Sequence, residues 1–138
     1  MMQKPTAGVL VFEKQPFWGP ELKRQFTDQS VLVRECRSVQ DLLPAAAEFS
    51  GAVVVLSLDA APIDCLAWIG MRFQNEAHYP LIVLASTELS DLEWPIREAG
   101  AVGFVGDEIP GDQLARLCLR LLRTSASSVP RVAAPYLQ

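Results

Sequence analysis

The chain has 138 residues, half of them apolar and a fifth charged, with a formal net charge of −4. That size suits one domain with a single core, and the composition excludes an intrinsically disordered chain. No apolar run approaches the roughly 18 residues that a membrane span needs. The opening MMQKPTAG lacks the apolar core of a signal peptide, so a cytoplasmic location is expected. The acidic balance argues against nucleic acid as the main partner.

Strand-like and helix-like segments alternate along the chain. GVLVFE (8–13) is an apolar run of strand length, and Gly19-Pro20 then opens a helix whose Leu22 and Phe26 share a face. VLVRECRS (31–38) alternates as a strand partly open to water, near an edge of a sheet. Ser38 is the expected cap of the helix that follows, with Asp41 at its positive end and Pro44 tolerable within the first turn. AVVVLSL (52–58) is apolar on both faces, as a central parallel strand should be. A helix over 64–75 carries Leu66, Ile69 and Phe73 on one stripe, with Trp68 at a boundary.

PLIVLAS (80–86) is the fourth strand. Leu92, Ile96 and Ala99 give the next helix an apolar face that Pro95 must shorten or bend. AVGFVG (101–106) is the fifth strand. The clearest helix is 112–123, with Asp112 as cap and Leu114, Leu117, Cys118 and Leu121 inward. Five βα units require helical crossovers, which gives an α/β fold: a doubly wound, five-stranded parallel sheet with helices on both faces. Residues 1–123 form the domain, and 124–138, rich in Ser, Ala and Pro, form a flexible tail or a linker.

Cys36, Cys65 and Cys118 lie far apart inside apolar patterns and read as reduced core thiols. No metal site is expected, because neither a CxxC nor an HxxxH spacing occurs and His78 is the only histidine. No GxGxxG or phosphate loop follows the first strand, where the sequence is EKQPFWGP, so no cofactor is expected either.

Five units of this size, with loops in these places, resemble the receiver domain of bacterial response regulators over about residues 8–123. The most specific stretch is REAGAVGFVGDEIPGDQLARLCLRLL (97–122), similar to that family's helix 4, "EAGA" turn, strand 5 and helix 5. The resemblance implies the flavodoxin-like fold and two-component signalling. It also implies an acidic pair after strand 1 and an aspartate ending strand 3 that hold Mg²⁺, the aspartate accepting a phosphoryl group. A Thr/Ser ends strand 4 and a Lys ends strand 5. Carboxylates suit the hard cation, and a hydroxyl and an ammonium suit the phosphoryl oxygens.

Laid onto this chain, the pattern is altered at nearly every position. Glu13 and Lys14 fall at the acidic pair, and Ser57 falls at the acceptor. Ala85 falls at the Thr/Ser position with Ser86 next, Asp107 at the lysine, and Glu108 at the family's following proline. If strand 3 is shifted by two residues, Asp59 becomes the acceptor instead. Lys14 and Asp107, both at the carboxyl edge, form a candidate ion pair. The expectation is a pseudo-receiver that lacks the phosphorylation site, is not an enzyme, and signals by protein–protein contact.

Family members dock partners or dimerise through helix 4, strand 5 and helix 5. On helix 5, Arg116, Arg120 and Arg123 make a basic stripe. Trp94 lies about 200° round helix 4 from Leu92, away from the core. Trp and Arg are enriched at binding hot spots, so Trp94, Phe104, Arg116, Arg120 and Arg123 form the candidate face for a protein partner or a second copy. Two alternatives remain: a phosphorylatable receiver using Asp59, and a doubly wound domain binding a small ligand at the carboxyl edge of its strands.

Overall fold

The computed structural model describes residues 7–72 and 79–127. Phe73, His78 and most of the tail, 128–138, lie outside the described residues, and so do the expectations placed on them. Valine, leucine and isoleucine fill the middle strands, and their burial on both faces is what a parallel sheet between two helix layers demands. The strands are β1 (Ala7–Phe12), β2 (Val31–Cys36), β3 (Gly51–Ser57), β4 (Leu81–Ala85) and β5 (Gly103–Gly106). All pair in parallel in the order β2-β1-β3-β4-β5. The order reverses between β1 and β3, so the loops after these two strands splay apart and leave a crevice at the carboxyl edge.

The helices are α1 (Trp18–Gln25), α2 (Leu42–Ala46), α3 (Pro62–Arg72), α4 (Glu93–Glu98) and α5 (Gly111–Ser127). On one face Val9, Val11, Val53, Val55, Ile82 and Leu84 meet Trp18, Leu22 and Phe26 and, from α5, Leu114, Ala115, Cys118 and Leu122. On the other, Leu10, Phe12, Val54, Leu56 and Val83 meet Leu42, Ala46, Cys65, Trp68, Ile69 and Ile96. Complete burial of a Leu or Ile side chain is worth about 1.5–3 kcal/mol, so these two clusters dominate the stability.

Several local expectations need correction. Ser38 caps a 3-10 turn over Val39–Asp41, its oxygen accepting the Gln40 N–H at 3.2 Å, and α2 starts only after that turn. Pro44 does sit in the first turn of α2, which is five residues long. The inward stripe of α3 is Cys65, Trp68 and Ile69, while Leu66 is half-buried; Trp68 therefore packs into the core. Pro95 accompanies the expected shortening: 3-10 geometry runs over Thr87–Leu92 and α4 has six residues. Gly100, with φ of 114°, supplies the left-handed turn after α4 that other residues adopt at a cost. Asp112 lies inside the first turn of α5 and pairs with Arg116 at 3.4 Å, so it is not the cap. In α5 the fully buried positions are Leu114, Ala115, Cys118 and Leu122, with Leu117 and Leu121 only partly covered. The helix runs on to Ser127, four residues past its expected end at 123.

The three cysteines are free and buried. Burial pushes the Cys65 and Cys118 thiols up to about 12, and raises Cys36 as well.

Candidate functional site

The residues singled out at the strand ends gather at the carboxyl edge of the sheet. An open cleft of about 400 Å³ is lined by Glu13, Lys14, Phe17 and Trp18 after β1, Ser57 and Asp59 after β3, and Asp107 after β5. It lies over the β1–β3 crevice. Ser57 is the last residue of β3, and Asp59 lies beyond it in a 3-10 turn over Leu58–Ala60.

Glu13 faces the first helix. Its side chain is only 4% exposed, and its carboxylate accepts the backbone N–H of Phe17 at 3.0 Å, Trp18 at 2.9 Å and Gly19 at 2.9 Å. These donors belong to the first turn of α1 and to the residue before it, where helical N–H groups have no acceptor within the helix. A carboxylate there also complements the positive end of the helix dipole. The sequence reading missed this role, although an acidic residue five positions before the helix start was the available signal.

Lys14 is exposed, and its ammonium turns toward the loop after β2. Nζ donates to the Arg37 carbonyl at 3.4 Å and lies 5.7 Å from the centre of the Phe12 ring. The candidate Lys14–Asp107 ion pair is therefore absent among the described residues, although both side chains line the same cleft. The competing acceptor, a carbonyl on the loop after β2, lies beside the loop that carries Lys14.

Asp59 and Ser86 meet across the ends of β3 and β4. One carboxylate oxygen of Asp59 accepts the Ser86 N–H at 2.8 Å and the other accepts its hydroxyl at 2.6 Å. Sequence reasoning placed both residues near the site but gave no signal that they bond. Ala85, buried at the end of β4, offers no polar group, and its carbonyl accepts the Asp107 N–H at 3.0 Å. The clamp stands between the cleft and a second groove of about 240 Å³ lined by Ser86, Thr87, Ser90, Phe104, Asp107 and Glu108, among others.

These residues do not fit Mg²⁺ as the resemblance implied it. Glu13 has both oxygens committed to backbone donors, Lys14 brings a positive charge where the second carboxylate would stand, and Ser57 offers a neutral hydroxyl. Among the described residues, no group of three His, Cys, Asp or Glu side chains is placed to hold a metal.

On the α4–β5–α5 side, Trp94 is 68% exposed and Arg116, Arg120 and Arg123 are exposed along α5. Phe104 is half-buried and lines the second groove. Arg116 is tied to Asp112, and Glu93 beside Trp94 is tied to Arg97 at 2.8 Å. No helix among the described residues is long and apolar enough to cross a membrane.

No family model matches the sequence, and no curated protein matches it. Solved structures do match by shape. Full-length FixJ from B. japonicum superposes with a TM-score of 0.74 at 16% identity, over 88% of this chain and 60% of that one. The Francisella response regulator 1452 receiver domain gives 0.72 at 14% identity, over 86% of this chain and 98% of that one. A response regulator from Thermotoga maritima gives 0.71 at 16% identity, with 86% and 98% covered. The chain thus spans less than two thirds of FixJ but nearly all of the two shorter structures. Its fold is the flavodoxin-like fold of response-regulator receiver domains, with five parallel strands and helices on both faces.

Proposed function

We propose that the protein is a non-catalytic pseudo-receiver, a signalling module that works through protein–protein contact without aspartyl phosphorylation. The observation that carries this reading is the Glu13 carboxylate, which is spent on three N–H groups of the α1 turn rather than offered to a cation. Ser57 at the end of β3 and Lys14 in the cleft support it. The phosphorylatable alternative requires Asp59 as a nucleophile, yet both its oxygens accept hydrogen bonds from Ser86.

The output face in this reading is Trp94, Phe104, Arg116, Arg120 and Arg123, with a protein partner or a second copy as its target. The exposed indole and the guanidinium groups suit such a contact, and the acidic chain as a whole suits nucleic acid poorly. The cytosol is the proposed location. A second reading, a small ligand in the cleft, draws on the cleft's position at the point where the strand order reverses.

The test is a backbone amide NMR titration with Mg²⁺ and beryllofluoride. Unmoved resonances at Ser57, Asp59, Ser86 and Asp107 are expected. Saturable shifts at these four amides that require both additives would overturn the proposal.

A further inference from the structure

Two opposite charges in the carboxyl-edge cleft are left over from the fold. The Asp107 carboxylate has neither a hydrogen bond nor an ion pair among the described residues. Lys14 lines the same cleft, and its one hydrogen bond among them runs to the Arg37 carbonyl. At 3.4 Å and exposed to water that bond is weak, so the ammonium can leave it at little cost. The other two carboxylates of the lining are occupied. Glu13 accepts three N–H groups of the α1 turn, and Asp59 accepts both donors of Ser86.

These commitments narrow what the cleft can take. A phosphate or another bare anion finds no N–H cradle, because Glu13 already fills the start of α1, and it meets the charges of Asp59 and Asp107. A metal ion finds no set of three ligands among the described residues. The leftover groups match a molecule with an ammonium for Asp107 and a carboxylate for Lys14. Ser57 adds a hydroxyl that has no partner among the described residues. Phe17 adds a ring that is 63% exposed, in T-shaped contact with Trp18 at 4.9 Å, its own N–H anchored on Glu13. Such a ring offers its free side to a second aromatic group. All of this lining belongs to described residues, and the chain leaves them only at the opposite edge, where β1 begins and α3 and α5 end.

We propose that the cleft binds a small zwitterion, an aromatic α-amino acid, with its ammonium on Asp107, its carboxylate on Lys14 and its ring against Phe17. The proposal rests on the reading of the cleft as a small-ligand site and names the ligand's class. A volume of about 400 Å³ accommodates a molecule of this size and lies within the usual range of about 300–1,000 Å³ for ligand pockets.

The test is an amide NMR titration of the full chain with probes that share one ring. They are L-phenylalanine, phenethylamine without the carboxylate, 3-phenylpropionate without the ammonium, and 3-phenylpropanamide with neither charge. Phenylalanine should shift the Lys14, Phe17, Ser57 and Asp107 amides saturably, with a dissociation constant of about 1 mM. Each single-charge probe should bind about tenfold more weakly. Lys14→Gln should abolish the preference for phenylalanine over phenethylamine, and Asp107→Asn the preference over 3-phenylpropionate. Both side chains are exposed, so the variants keep the fold. Preferences that survive both substitutions overturn the proposed pairing of charges. Another probe binding as tightly as phenylalanine overturns the zwitterion and leaves the cleft a small-ligand site. No saturable shift from any probe up to about 10 mM overturns both.

Discussion

Removing the Glu13 carboxylate strips three backbone N–H groups of one shared acceptor. Two of them, on Trp18 and Gly19, are buried, so water cannot fully replace it. Glu13→Ala should cost about 2 kcal/mol in urea unfolding, the upper end of the range for a lost helix cap. A change below about 0.5 kcal/mol would mean that α1 does not depend on this carboxylate. Asp59 and Ser86 form the second residue-scale unit. A double-mutant cycle with Asp59→Ala and Ser86→Ala should return a coupling of about 1 kcal/mol, and additive losses would show that the two do not act together. The sequence exposed which residue types stand at the strand ends, because each follows an unmistakable apolar run. It did not expose where their side chains turn. Glu13, Lys14 and Asp59 each had several acceptors or donors within reach, and the choice depends on loop paths that composition does not determine.

The coupling between β2 and α1 rests partly on Glu35, which accepts from Arg37 at 2.9 Å and pairs with Lys23 of α1 at 3.0 Å. These two hydrogen bonds, the one from Arg37 first, hold the Glu35 carboxyl below the usual carboxylate range. A group with a lowered folded value stabilises the fold fully above its unfolded value, and that contribution is lost as pH falls through the folded value. Stability should therefore decline on acidification below about pH 5, and Glu35→Gln should flatten the decline. Chemical denaturation of both proteins across that window measures it; parallel curves would contradict the assignment. Element boundaries followed from local chemistry where one signal acted alone, as in the strand runs and in the shortening at Pro95. They slipped where two competed. Ser38 and Asp41 both advertised one helix start and instead bracket a 3-10 turn that precedes α2. At α5, Gly111 already belongs to the helix, while Asp112 is drawn to Arg116 one turn on.

For the molecule as a whole, the two apolar clusters on either side of the sheet enclose all three cysteines. With Cys65 and Cys118 pushed up to about 12, the native protein should react with a thiol reagent at pH 8 no faster than it unfolds. Rapid labelling of any cysteine in the folded state would show that the core opens locally. The architecture was legible because alternating apolar runs and helical stripes leave few arrangements besides a doubly wound sheet. What the fold does was less legible, since one scaffold can host many functions through a few side chains placed on it. The central claim is that this edge no longer accepts a phosphoryl group. The most direct test is intact mass spectrometry after incubation with Mg²⁺ and acetyl phosphate, read beside the Asp59→Asn variant. The account predicts no acid-labile adduct on either protein. A stoichiometric adduct on the wild type that disappears in Asp59→Asn would contradict it and make Asp59 a working acceptor.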